Sequence, residues 1–410
     1  MDSLTQVVLG AAVGEAVLGK KVGGRAMIWG GFAGFLPDLD VASSFVVDEI
    51  SALAIHRGIT HSFIFAAVFS IFIAWLVHQL YDSGLYKRKL YKIIASIIGI
   101  GGLVFTANYL PYMVSDKLNM QLLLISTGVG ALILLLMNRY YFQVEQRVVD
   151  TTWKDWYWLF FWAIITHPIL DCFTTYGTQI FLPFSDYRVA FNVISVADPL
   201  YTVPFLLTVI IAANLRRGTK WRSIVNWTGI IISSCYMLFC YYHKTQVNKI
   251  FEQSLAENNI PYSRYMTSPL IFNNVLWLGV AESDTAFYHA YYSFMDEDTD
   301  MNEYNVFPKQ HNLLSQYEGD PTLKTLRWFS NDYYTLLRRP DGELQMNDVR
   351  FGIFTTKLQK HTDYVFKFIL EEKKDGLEMR QSREGREINK ETFKELWDRI
   401  WGNPRNETEL

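Results

Sequence analysis

Six apolar stretches, each long enough or nearly long enough to cross a bilayer, constrain this chain more than any other feature. They lie at about 62–80, 93–112, 118–137, 156–170, 199–215 and 224–242, against the roughly 20 residues that a full helical crossing needs. The first 36 residues add two shorter, glycine-rich apolar pieces at 4–18 and 26–36, separated by Lys20, Lys21 and Arg25. These read as tightly packed or partly inserted helices whose glycines allow close backbone approach.

The apolar character stops near residue 243. Residues 1–243 hold 17 Lys+Arg against 14 Asp+Glu, whereas 244–410 hold 21 against 27, so the formal net of −3 averages a slightly basic part and an acidic one. The sequence therefore predicts a multi-helix membrane domain over 1–243 and a soluble domain over 244–410. With no strong basic excess in either part, nucleic acid is not expected as a partner. Cys172, Cys235 and Cys240 cannot frame a disulfide scaffold and lack zinc-ribbon spacing. The start MDSLTQVVLG has no basic n-region and its apolar run is broken by glycines, so targeting is expected to rest on the membrane segments themselves.

Basic loops set the orientation, because short cytoplasmic loops are enriched in Lys and Arg. Three alternate loops are basic: Lys87, Arg88, Lys89 and Lys92; then Arg139, Arg147 and Lys154; then Arg216, Arg217, Lys220 and Arg222. The intervening loops hold only Lys117 and Arg188. This alternation predicts a multi-pass protein of the cytoplasmic (inner) membrane with the bilayer as its setting, and puts the chain near His243 outside. The fold class expected is an α-helical polytopic membrane bundle followed by an extracytoplasmic α+β domain. In that domain, 274–281 and 286–294 alternate as antiparallel strands. Arg339-Pro340-Asp341-Gly342 reads as a turn between strands at 333–337 and 343–353. Segments 244–258 and 389–401 read as helices, and 371–391 as a charged, solvated stretch.

Ionisable groups in or beside membrane helices are costly and therefore pair, line a polar cavity or bind something. Pro37-Asp38-Leu39-Asp40 ends an apolar helix with two carboxylates, which equally suit a solvated capping turn. His56-Arg57-Gly58-Ile59-Thr60-His61-Ser62 precedes a membrane segment, and Gly58 permits a bend that turns both rings inward. Each histidine alone also reads as an interfacial core residue. His167-Pro168-Ile169-Leu170-Asp171 places imidazole and carboxylate at i and i+4 on one helical face, either as a buried pair or as two ligands of one ion. Asp198 before Pro199 reads as a helix cap. Glu15 stands inside the first apolar piece, a candidate proton carrier or supporting group. Arg188 is a candidate anion contact, with a snorkelling surface role as the plain alternative.

On the alternation above, His56 and His61, His167 and Asp171, and Asp198 all meet at the outer face; with Pro37 there too, the first two apolar pieces form a hairpin with both ends outside and Lys20, Lys21 and Arg25 inward. Three imidazoles and three carboxylates, His56, His61, His167, Asp38, Asp40 and Asp171, suit a borderline divalent ion, zinc first, with manganese or iron as alternatives. Such an ion activates water and polarises a carbonyl or phosphoryl oxygen, which makes hydrolysis the economical reading.

The combination resembles the YdjM-type family of membrane-bound metal-dependent hydrolases. The residues that carry the resemblance are MDSLTQVVLGAAVGEAVLGKK at the start, PDLD at 37–40, HRGITHS at 56–62, HPILD at 167–171, TTYGTQIFLPFSDYR at 174–188 and ADPLYT at 197–202. The stretches VLWLGVAE at 275–282, LRWFS at 326–330 and VRFGIF at 349–354 look like the soluble extension of longer members. The resemblance implies a polytopic membrane protein with a divalent-metal site on those six residues. Some members carry His where this chain has Gln6, which leaves no ligand role to carry over there. The expectation is a hydrolase at the outer membrane face acting on an ester or phosphoester of a lipid or envelope precursor, with Glu15 and Arg188 as the candidate catalytic groups. The competing classes are a metal-binding scaffold and a cation transporter, the latter disfavoured because its ionisable groups would sit near mid-membrane.

Overall fold

The computed structural model describes residues 1–115, 118–137, 142, 148–353, 360–374, 376–385 and 390–402. Of the residues used above, Lys117, Arg139, Arg147, Phe354 and Asn389 lie outside the described residues. The chain divides into two compact units, one of Met1–Ser70 with Leu159–Leu410 and one of Ile71–Trp158.

Each apolar stretch becomes a helix. The first two are α1 (Ser3–Val22) and α2 (Gly24–Phe35); the six longer stretches fall on α4 (Phe63–Asp82), α5 (Lys89–Ser115), α6 (Met120–Met137), α7 (Trp153–Asp171), α8 (Pro199–Asn214) and α9 (Lys220–Glu257), with the short α3 (Glu49–Ile55) before α4. Among the described residues, α4, α6 and α9 are long and apolar enough to cross a membrane, and α8 is apolar but shorter. Glycines set the closest helix contact. A Cβ on Gly10 would stand 2.9 Å from the Gly34 Cα, and one on Gly34 would stand 3.0 Å from the Gly10 Cα. Only glycine lets the α1 and α2 backbones touch there, which fixes their register.

The helix expected at 244–258 is not separate. It continues α9 without a break past His243, giving one helix of 38 residues, about 57 Å long. Its C-terminal end lays Val247, Phe251 and Leu255 against Trp277, Ala281, Ala290 and Tyr292 of a four-stranded antiparallel sheet. That sheet runs in the order β1 (Arg264–Pro269), β2 (Leu276–Glu282), β3 (Ala286–Ser293), β4 (Asn305–Pro308). Leu278 and Val280, pointing the other way from β2, pack with Phe287, Phe307, Val349, Ile353 and Tyr364. These last three tie it to a second antiparallel sheet, β5 (Tyr334–Arg338), β6 (Leu344–Ile353), β7 (Tyr364–Lys373), β8 (Gly376–Ser382). Its far face is covered by Leu323, Leu326 and Phe329 of α10 (Pro321–Ser330), with Ile50 and Leu53 of α3 alongside. A last helix, α11 (Lys390–Ile400), follows.

Of the stretch 371–391, the described residues 371–374 and 376–385 are largely solvated, as their charges require, and they carry the end of β7 and all of β8, paired Glu371↔Glu378 and Lys373↔Gly376. The inward side chains are Leu370 and Leu377. The outward ones alternate in sign, Lys373 lying 2.8 Å from Glu371 and 3.7 Å from Glu378. Cross-strand charge pairs hide the strand signal in the composition.

In the other unit, Asn108 of α5 donates to Ser126 of α6 at 2.8 Å, and Tyr81 stacks on Trp156 at 5.1 Å.

Candidate metal centre

Three local devices aim side chains at one point. Pro37 starts a 3₁₀ turn over Leu36–Phe45 that carries Asp38 off the end of α2, where Ser3 donates to its Oδ2 at 3.0 Å. Arg57, in the left-handed region at φ +60, and Gly58 reverse the chain after α3 into a short turn, Ile59–His61, that buries His61 completely. The i, i+4 spacing in α7 presents His167 and Asp171 together, both fully buried.

The four groups converge. His61 Nε2 and His167 Nε2 are 3.0 Å apart. Asp38 Oδ1 lies 3.4 Å from the His167 nitrogen and 3.7 Å from that of His61, and Asp171 Oδ2 lies 3.5 Å from each. Asp38, His61 and His167 each offer a ligand atom within 4.8 Å of the others.

The far sides of the rings determine what the near sides present. His167 Nδ1 faces the Gly34 carbonyl at 2.5 Å; a carbonyl only accepts, so Nδ1 carries the hydrogen. His61 Nδ1 lies 3.1 Å from the Thr60 hydroxyl and 3.3 Å from Asp40 Oδ2. Since Thr60 gives its own hydrogen to Asp40 at 2.9 Å, His61 Nδ1 is also the donor. In neutral rings both Nε2 atoms then expose lone pairs to each other, an arrangement that repels unless a cation stands between them. Asp171 Oδ2 is buried without a hydrogen-bond partner, while its Oδ1 accepts from Gln6 at 2.9 Å and from the Met1 amino group. Two imidazole lone pairs and two carboxylates, one of them with Arg57 Nε 3.2 Å from its inner oxygen, fit a borderline divalent cation.

Asp40 and His56 stand one layer back. Asp40 Oδ1 pairs with His56 Nδ1 at 2.8 Å, and Oδ2 accepts from the Arg57 backbone at 3.0 Å as well as from Thr60. The His56 ring is 6.1 Å from that of His61 and packs edge-on to Tyr176 at 5.3 Å. Burial opposes the ionisation of Asp38 and Asp40. For Asp40 the hydrogen bonds from His56 and His61 outweigh it and hold the carboxyl well below the usual range.

The remaining sequence candidates sit elsewhere. Glu15 forms a two-pronged ion pair with Arg222, at 2.6 and 2.7 Å, nine residues along α1 from Gln6 and so about 13 Å away. Asp198 caps α8 through the Leu200 and Tyr201 amides and accepts from Tyr236 at 3.0 Å. Arg188 donates to the Tyr176 carbonyl at 2.6 Å and is not among the converging groups. Conversely, Gln6, Thr60, Arg57 and the Gly34 carbonyl all orient those groups. Thr60 and Arg57 lie inside the HRGITHS motif, where their position was the available signal; a backbone carbonyl leaves none.

A model of the YdjM inner membrane protein family matches residues 1–121 and 122–247, a span that contains every group described above. The chain belongs to the YdjM inner membrane protein family. No curated protein and no solved structure matches it. In this YdjM-family protein the matched region holds the whole converging cluster, and the two sheets follow beyond it. They are not remote from the cluster: Glu49 of α3 accepts from the Gln381 backbone at 2.6 Å, and Tyr176 packs on Phe329 at 5.2 Å.

Proposed function

We propose that this YdjM-family protein is a metal-dependent hydrolase at the outer face of the cytoplasmic membrane, acting on an ester or phosphoester of a lipid or envelope precursor. One observation supports the reading: the outer hydrogen bonds place the Nδ1 hydrogens of both rings, so that in neutral imidazoles the two Nε2 lone pairs face each other and two carboxylates. Asp38, His61, His167 and Asp171 are the proposed ligands of one ion, zinc by donor type. Asp40, Thr60 and the Gly34 carbonyl hold the rings in the binding tautomer, the role that outer hydrogen bonds play at metal-bound imidazoles. Arg57, 3.2 Å from Asp171 Oδ2, and Gln6 hold that carboxylate. When bound, such an ion supplies Lewis acidity toward a carbonyl or phosphoryl oxygen and lowers the pKa of a water to about 7. Asp38 is the one ligand whose side chain keeps some exposure, 12%, so it marks the side from which substrate approaches. The outer-face assignment is supported by the alternation of basic loops and by the position of the groups at helix ends.

The test is turnover of ester and phosphoester panels by the zinc-loaded full chain in detergent, beside His61→Ala. The reading expects hydrolysis that chelator abolishes and His61→Ala lacks. Metal held tightly with no turnover of any panel member would instead favour a structural ion.

A further inference from the structure

The geometry points to a second subsite beside the metal cluster, built on Arg188, that takes a phosphate-type oxyanion of the substrate. This names a substrate class for the site and so rests on the proposed hydrolase reading for its purpose, though not for its chemistry.

Three arginines gather around Tyr176 and Phe329. Arg57 stands 4.7 Å over the Tyr176 ring and is paired with Asp171. Arg350 lies 5.4 Å from Phe329 and is paired with Asp348 at 2.6 Å. Arg188 has no carboxylate partner among the described residues. Its guanidinium carbon lies 4.8 Å from each of the Tyr176, Trp328 and Phe329 rings. Nη2 reaches the Tyr176 and Gly177 carbonyls at 2.6 and 3.3 Å, but Nε and Nη1 are buried with no acceptor. Tyr176 cannot supply a compensating charge, because burial raises its phenol above the ordinary value and keeps it neutral.

Aromatic faces attract the cation but do not replace directional acceptors for its N–H groups. A half-buried cation whose Nε and Nη1 are buried with neither counter-ion nor acceptor is costly, and arginine donors match phosphate oxygens. The positive charge is also next to the cluster: Arg57 touches both Asp171 and Tyr176, and Tyr176 touches Arg188. An anionic group held at Arg188 therefore lies two side chains from the groups proposed to bind the ion. Trp328 is the side that can yield, being half-buried and tied by one 3.2 Å hydrogen bond to the Asp186 carbonyl.

The experiment uses the full chain, stripped of metal by chelator, in phosphatidylcholine nanodiscs, titrated with inorganic phosphate by calorimetry and tryptophan fluorescence. Wild type and His61→Ala are expected to bind phosphate alike, and Arg188→Gln about tenfold or more weakly. Zinc titration should show the converse, lost in His61→Ala and kept in Arg188→Gln, so failure of the metal reading and failure of the subsite are separable. Arg188→Lys keeps the charge without the planar donors and covers the case in which Arg188→Gln does not fold; it too should bind more weakly than wild type. Nanodiscs containing phosphatidylglycerol identify the source: competition with free phosphate assigns the subsite to a lipid headgroup, and its absence to a soluble phosphate ester. No binding of millimolar phosphate by wild type, or wild-type affinity in either folded variant, overturns the proposal.

Discussion

Two ends of the same helix carry buried charge, and they are built on opposite principles. At the Lys20 end of α1, Glu15 is saturated: both its oxygens take hydrogen bonds from Arg222, whose remaining donors reach the Ala213 and Leu215 carbonyls at 3.4 and 3.1 Å. At the Ser3 end, Asp38, His61 and His167 are hydrogen-bonded on their outer sides, Asp171 also has Arg57 3.2 Å from Oδ2, and the inner atoms of the four confront one another. A closed ion pair needs nothing more, whereas the open cluster calls for a cation. Burial alone would have ranked the two alike; the accounting of lone pairs separates them.

The largest expected effect tests the closed end. Glu15→Ala leaves the Arg222 guanidinium buried without its partner and should cost about 3–5 kcal/mol of stability, read from denaturant unfolding in detergent, while zinc affinity stays at the wild-type value. A loss of metal on this change would erase the distinction between the two ends. Next comes the layer behind the open end. Asp40→Ala removes the support of His61 and should lower zinc affinity by about 10–100-fold, measured by competition with a chromophoric chelator; an unchanged affinity would mean that the outer hydrogen bonds do not set the tautomer.

A buried histidine far from the cluster sharpens the contrast further. His289 on β3 is fully buried with neither ring nitrogen hydrogen-bonded, and burial pushes its pKa down to about 3. Its folded-state value lies below the unfolded one, so the imidazole is neutral in the fold. The associated stability is present above about pH 6.5 and is lost as pH falls toward 3, at most about 1.4 kcal/mol per pH unit. His289→Phe should flatten that limb of a stability-against-pH curve, and a slope unchanged by the substitution would count against the burial argument.

Helices and motifs were legible where one physical demand dominates. Every apolar run became a helix, because hydrocarbon-length segments have few alternatives. The turn at 339–342 joins β5 to β6, and PDLD, HRGITHS and HPILD do meet. What the sequence could not separate was Asp38 from Asp40 or His56 from His61. Each pair sits within one short stretch, and only the folded placement of Thr60 beside His61, with Gly34 and Tyr176 from other segments, decides which member faces inward. The strands β1, β4, β7 and β8 and the helices α3 and α10 were not read: β8 and the end of β7 carry charged outward faces that mask the alternation, and β4 is only four residues long. The unbroken passage of α9 through residue 243 escaped because polarity, not helicity, changes there.

The central claim is that Asp38, His61, His167 and Asp171 grip one divalent ion. Elemental analysis of the full chain purified without chelator, beside His61→Ala and His167→Ala of confirmed fold, tests it most directly. The account predicts about one transition-metal ion per wild-type chain and essentially none in either variant; equal metal content in all three, or none in the wild type even after zinc is supplied, would contradict it.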